Sequence, residues 1–190
     1  YLQLYPHQIK ALNLSSPMIA IASNGVPTWL AKFLVKTGRA INQCLSATPW
    51  YFLGQSDINQ STFEENRLMH SKLRFQRFRE LYHQRPELKL GGVTFHWLQQ
   101  ALDNSDKLFI DLKKLSLPIQ LMQAEEEYIV DNNAQNSFCR QLSTLKPDHY
   151  PENKPIIVAG AYHELFFELD QYRDIAINNA VAWFVEHHND

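Results

Sequence analysis

Apolar and polar positions fall into three stretches of different periodicity along the 190 residues. In the first, residues 1 to 21, Leu2 and Leu4 read as the end of a helix. Ile9, Ala11, Leu12 and Leu14 then form a short apolar run, Ile9 to Met18, interrupted by Ser15-Ser16-Pro17. A short apolar run stopped by proline suits a buried strand. The second stretch, residues 22 to 115, reads as wholly helical. Pro27 stands near a first helical turn, and Trp29, Leu30, Phe33, Leu34 and Ile41 follow at helical spacing. Ser61 with Glu64 has the spacing of a capping box for a helix carrying Leu68, Phe75, Phe78 and Tyr82, which must stop before Pro86. Gly91-Gly92 predicts a turn, and Thr94 a cap for the helix that opens at Phe95.

The third stretch, residues 116 to 190, alternates. Pro118 to Ala124 predicts a strand, residues 132 to 145 a helix, and Lys154 to His163 a strand marked by consecutive β-branched Ile156, Ile157 and Val158. Residues 169 to 187 predict a closing amphipathic helix. Strand, helix, strand, helix implies a parallel sheet with right-handed crossovers. The expected fold class is therefore α/β: about three parallel strands with flanking helices, split between residues 1–21 and 116–190, with residues 22–115 as a helical insertion.

Composition narrows the function classes. A net charge of −2 gives no global reason to bind nucleic acid. The charge is uneven, because Arg67, Lys72, Arg74, Arg77, Arg79, Arg85 and Lys89 cluster against only Glu80 and Glu87. Two distant cysteines, Cys44 and Cys139, point to free thiols in a reducing compartment and hence to a cytoplasmic address. No apolar run approaches the ~20 residues a spanning helix needs, and no signal peptide is visible. There is no HExxH, and the one Glu80-x-x-His83 reads as helix surface, so no metal is expected. No glycine-rich phosphate loop occurs, so no cofactor is expected either.

In an open parallel sheet, chemistry gathers at the carboxyl ends of the strands. Three places qualify: Ser15-Ser16-Pro17, Glu125-Glu126-Glu127, and Ala161-Tyr162-His163-Glu164. The simpler reading of the three glutamates is a solvated acidic loop before a helix capped by Asp131. The sharper reading has one acid turned inward to orient His163, which ends the next strand. Acid then histidine, in that order, is the arrangement of the α/β-hydrolase triad.

The segments QAEEEYIVDNNAQNSFC and GAYHELFFE, with LSSPM near the start and LGGVTFHWLQQAL before the penultimate strand, resemble the bacterial lysophospholipase L2 and monoglyceride-lipase-like α/β-hydrolases. The resemblance spans essentially the whole chain and is loosest between residues 22 and 115. It implies that His163 is the general base. It puts the acid at Glu127, with Glu126 and Asp131 as alternatives. Glu164 would stand behind the site or at the surface, and Glu168 would cap the last helix or sit in its first turn. The family's G-x-S-x-G nucleophile elbow does not occur here: Gly54-Gln55-Ser56 fails because Ile58 replaces the last glycine. The expectation is that the elbow lies just upstream of Tyr1, that this chain is the distal part of a longer ester hydrolase, and that it is inactive alone.

The resemblance also makes residues 22–115 a cap over the acyl site. Trp29, Phe33 and Leu34 would meet acyl chains of a lysophospholipid or monoglyceride, and Lys32, Lys36 and Arg39 its headgroup or an anionic inner-membrane surface. The competing reading makes the aromatic stripe buried core and the cations a solvated face. An unpaired edge at Ile9 to Leu14 would favour a homo-oligomer. Without the resemblance, the chain could also be a non-enzymatic helical binding module on a small α/β base.

Overall fold

The computed structural model describes residues 2–22, 25–57, 61–147, 150 and 153–188; Ile58 lies outside them. Three parallel strands form one sheet in the order β1–β2–β3: β1 (Leu12–Ser15), β2 (Ile119–Ala124) and β3 (Ile156–Val158). Leu12 pairs with Ile119 and Ser15 with Met122; Met122 in turn pairs with Ile156, and Ala124 with Val158. Both outer strands are shorter than their apolar runs predict. β1 ends because Ser16 adopts a φ of +40° and Pro17 has no N–H to offer. β3 ends because Gly160, at φ +71°, reverses the chain where a Cβ would come within 3.1 Å of the Tyr172 hydroxyl.

Alternation along β2 divides the core. Ile119 and Leu121 face α4 (Asn132–Leu145), joining Phe138, Cys139, Leu142, Leu112, Leu115 and Leu117. Met122 and Ala124 face the other way, into a smaller cluster with Val158, Ala161, Leu165 and Ala176 of α5 (Asp170–Glu186). Gln123 points toward α4 without cost, because its amide donates to Gln135 Oε1 at 3.0 Å, and Gln135 donates to the Pro17 carbonyl at 3.0 Å. The bounds of α4 match the sequence reading, with Asp131 accepting from the Asn133 N–H as its cap. The two cysteines are free thiols; burial pushes that of Cys139 up to about 11.

Residues 22 to 115 are not wholly helical. They hold α1 (Thr28–Leu45), α2 (Lys72–Gln84) and α3 (Phe95–Ile110), separated by irregular chain. Ser61 does not start a helix: α2 begins eleven residues later, at Lys72, capped by Ser71 accepting from the Arg74 N–H, and Leu68 lies outside it. Near Ser61 the carboxylate of Glu65, not Glu64, bonds the Thr62 N–H. Gly91 and Gly92 form no turn. They run extended beside residues 52–56, with the Gly92 N–H on the Ser56 carbonyl at 2.7 Å, so close that a Cβ at Gly91 would meet Asp57 Cα at 2.8 Å. Residues 2–4 are turn, not helix end. The cap at Thr94 is present, accepting from the Trp97 N–H at 3.1 Å. None of the helices is long and apolar enough to cross a membrane among the described residues.

Phe138 and Leu142 are each 2 % exposed and lie where α4 meets β2. Phe138→Ala should therefore lower unfolding free energy by about 3–5 kcal/mol, read as a shift in urea midpoint at unchanged m-value; a loss under about 1 kcal/mol would mean α4 is not bound to β2 as described.

Candidate active site

The carboxyl ends of β2 and β3 lie side by side because the two strands are parallel neighbours. The loop after β2 is stitched on both flanks. Toward β3, the Glu125 N–H meets the Val158 carbonyl and the Glu126 N–H that of Ala161; toward the β1 end, the Asp131 N–H meets the Ala20 carbonyl and Ile21 bridges Val130. This fixes the three glutamates in different directions. Glu125 turns back to accept from the Gly160 N–H at 2.8 Å. Glu126 is exposed. Glu127 turns inward, its side chain 1 % exposed, with Oε2 2.8 Å from His163 Nδ1. Its other oxygen accepts the N–H groups of Ile129 at 2.7 Å and Val130 at 3.2 Å.

Of the three predicted acids, Glu127 is thus the one that meets His163; Asp131 is spent on capping α4. Burial pushes the Glu127 carboxyl up. The His163 hydrogen bond, the Ile129 N–H, the His163 charge and the Val130 N–H together outweigh it and hold the carboxyl below its usual range. An ionised carboxylate only accepts, so the imidazole must present its Nδ1–H to Glu127, which leaves Nε2 with its lone pair. The His163 side chain is 18 % exposed, so the ring is sheltered and still reachable. An imidazole in this state can take a proton from a hydroxyl placed at Nε2.

The residues proposed to meet lipid lie apart from this pair, on α1. Trp29, Phe33 and Leu34 are 71 %, 61 % and 46 % exposed, so the reading of that stripe as buried core does not hold. Lys32 pairs with Asp106 of α3 at 2.5 Å, and Lys36 is exposed. Of the basic cluster, Arg74 is paired with Asp170 and Arg85 with Glu87, while Arg67 lies over the Tyr128 ring at 5.5 Å.

One pairing escaped the sequence reading. Glu168 neither caps α5, whose N-cap is Leu169, nor sits in its first turn, which starts at Asp170. It is fully buried, and its carboxylate meets the His70 ring at 2.7 Å. The available signal was an acid set inside the apolar run Leu165-Phe166-Phe167-Glu168-Leu169. Nothing local in the sequence marks His70 as its partner, 98 residues away.

A carboxyl held below its usual range stabilises the fold above that range and loses the contribution as pH falls through the lowered value. Urea midpoints of wild type and Glu127→Gln should accordingly differ most at neutral pH and converge as pH falls through and below the lowered carboxyl range. A constant difference would mean that the Glu127 charge is not what stabilises the loop.

Residues 1–170 match the family described as serine aminopeptidase, S33 (Hydrolase_4). The chain is 29% identical over 189 residues to lysophospholipase L2 of Escherichia coli K12, covering 100% of this chain and 54% of that protein. It is 30% identical over 175 residues to a probable lysophospholipase L2 of Haemophilus influenzae, covering 91% of this chain and 51% of the other. It spans about half the length of these relatives. Among solved structures, the fold is similar to the monoacylglycerol lipase of Paleococcus ferrophilus (TM-score 0.65, 17% identity, 98% of this chain and 62% of that one). It is also similar to a soluble variant of the Saccharomyces cerevisiae monoglyceride lipase in complex with a substrate analog (TM-score 0.57, 16% identity, 92% and 55%). With nine-tenths of its length matched and parallel strands that bring Glu127 to His163, the chain belongs to the serine aminopeptidase S33 family of α/β-hydrolases.

Proposed function

We propose that this chain is the acid- and histidine-bearing half of a carboxylic-ester hydrolase of the lysophospholipase or monoacylglycerol lipase type. The observation that carries the reading is the 2.8 Å contact between His163 Nδ1 and the buried Glu127 carboxylate at the ends of adjacent parallel strands. In the reaction His163 Nε2 takes the proton of a serine hydroxyl as that oxygen attacks the ester carbonyl. It then returns the proton to the departing alcohol. Glu127 holds the tautomer and stabilises the imidazolium. Water repeats the cycle on the acyl-enzyme to release the fatty acid. The serine and the oxyanion donors belong to a segment outside these 190 residues, which contain no G-x-S-x-G. The half-length match to the lysophospholipases is consistent with this.

The proposed division gives residues 1–21 and 116–190 to the hydrolase core and 22–115 to a cap. The exposed Trp29, Phe33 and Leu34 on α1, flanked by Lys36, suit contact with acyl chains or with an anionic membrane surface at the cytoplasmic side. β1 has no second neighbour among the described residues, and pairing of that edge would give the chain alone a homo-oligomer.

Two measurements test the reading. Purified alone, the chain should release no fatty acid from lysophospholipid or monoacylglycerol. In the longer protein carrying a nucleophile elbow, His163→Ala should cut kcat by a factor of about 10^4 or more; turnover by the chain alone that depends on His163, or an unaffected His163→Ala enzyme, would refute the assignment. In vesicle flotation, binding should rise with anionic lipid, fall with salt, and weaken several-fold in a Trp29→Ala/Phe33→Ala variant; binding indifferent to all three would remove α1 from the lipid contact.

A further inference from the structure

We propose that Glu168 is a positioning residue that keeps His163 aligned with Glu127, using His70 to tie the segment before α2 to the histidine loop. This rests on the ester-hydrolase reading of the His163–Glu127 pair.

Glu168 is 0 % exposed, and a carboxylate withdrawn from water must be matched by donors. Four donors surround it. Oε1 accepts from His70 Nδ1 at 2.7 Å and from the Tyr162 N–H at 2.9 Å. Oε2 accepts from the His70 N–H at 3.0 Å and the Leu169 N–H at 2.9 Å. Tyr162 immediately precedes His163. Its ring stacks on the His70 ring, with centroids 3.7 Å apart and planes 29° apart. On the far side of His163, the Glu164 N–H donates to the Leu68 carbonyl at 2.8 Å. Both backbone neighbours of His163 are therefore held, one by Glu168 and one by Leu68.

The holding segment is itself stiff. Buried Asn66 bonds the Met69 carbonyl at 2.6 Å and the Leu68 N–H at 2.9 Å, and the Arg74 guanidinium reaches both the Glu168 carbonyl and Asp170. Glu168 is the group bonded to both the segment and the residue beside His163. Three of the four partners are backbone N–H groups, which can only donate, and a carboxylate accepts from all three as well as from a His70 Nδ1–H. Whichever way it turned, an amide would direct its NH2 at one or more of these backbone N–H groups, so Glu168→Gln keeps the shape and breaks the match. With Nδ1 as the donor, His70 meets Glu168 as His163 meets Glu127. The molecule thus contains two imidazole–carboxylate pairs, one facing the reacting atoms and one behind it.

The test follows the His163 ring by nitrogen-15 NMR across a pH titration of wild type, Glu168→Gln, His70→Gln, Glu127→Gln and the control Asp174→Asn, an exposed residue of α5 paired with Arg173. In wild type and Asp174→Asn, His163 should show a single Nδ1–H tautomer with a slowly exchanging ring proton. In Glu168→Gln and His70→Gln, with unfolding still cooperative, that proton should exchange about tenfold faster or more, and the titration midpoint should move. A folded Glu168→Gln or His70→Gln whose His163 signals and midpoint superimpose on wild type would overturn the proposal. If Glu168→Gln does not fold, His70→Gln, at the partly exposed end of the pair, decides by the same criterion. Glu127→Gln separates the two levels. No change in His163 there would remove the underlying pair itself. A change there with none in Glu168→Gln or His70→Gln would remove only the positioning role.

Discussion

Strand β2 is hydrogen-bonded on both edges and covered on both faces, and the rest of the structure takes its position from it. Five of its six residues are buried, and Met122 and Ala124 are wholly so. Each large apolar side chain removed from water there contributes about 1.5–3 kcal/mol, so the strand cannot slip by one residue without turning Ile119 and Leu121 to the wrong layer. Parallel pairing with β3 then fixes which ends meet. The loop leaving β2 and the loop leaving β3 emerge side by side, and Glu127 reaches His163 across that junction. Antiparallel pairing would have sent the two groups to opposite ends of the sheet.

The chemistry at that junction depends on a balance of opposing terms. Burial alone would push the Glu127 carboxyl up, toward the neutral form that cannot orient an imidazole. The imidazole and two backbone N–H groups reverse this, and those N–H groups come from the chain's own turn into α4. The acid is thus kept ionised by local backbone geometry as well as by its partner. Glu127 is held toward the ring because the Ile129 and Val130 N–H groups anchor one oxygen, leaving the other free to face His163.

The segment between β1 and β2 is joined to the sheet's working end at few but well-defined places. Arg67 over Tyr128, Leu68 on Glu164 and His70 on Glu168 all fall within four residues. By contrast, α1 is bound chiefly to α3 and leaves its large apolar side chains in water. One part of the insertion is therefore coupled to the histidine loop while another presents an unsatisfied apolar surface, and the two need not respond to a ligand together.

Some of this was readable from the sequence because it depends on near neighbours. The bounds of α4 follow from Asp131 and an amphipathic period, the cap at Thr94 from one side chain, and the identity of β2 from an apolar run too short for a helix. The order acid then histidine on neighbouring strands was legible in the sequence, the choice of Glu127 ahead of Glu126 and Asp131 was implied by the family resemblance, and the contact of Glu127 with His163 is present in the structure. What failed was also local in cause. The Ser61 capping pattern gave no helix: Glu65 takes the Thr62 N–H, Asn66 takes the Leu68 N–H, and Phe63 meets the Phe75 ring of α2. Strand lengths were overestimated, because Ser16 and Gly160 bend the backbone at residues that hydropathy does not weigh. The burial of Glu168 and its pairing with His70 were decided only by tertiary structure: the cost of burying a carboxylate is met by donors from residues 70, 162 and 169, and no local pattern can register donors that the fold brings from 98 positions away.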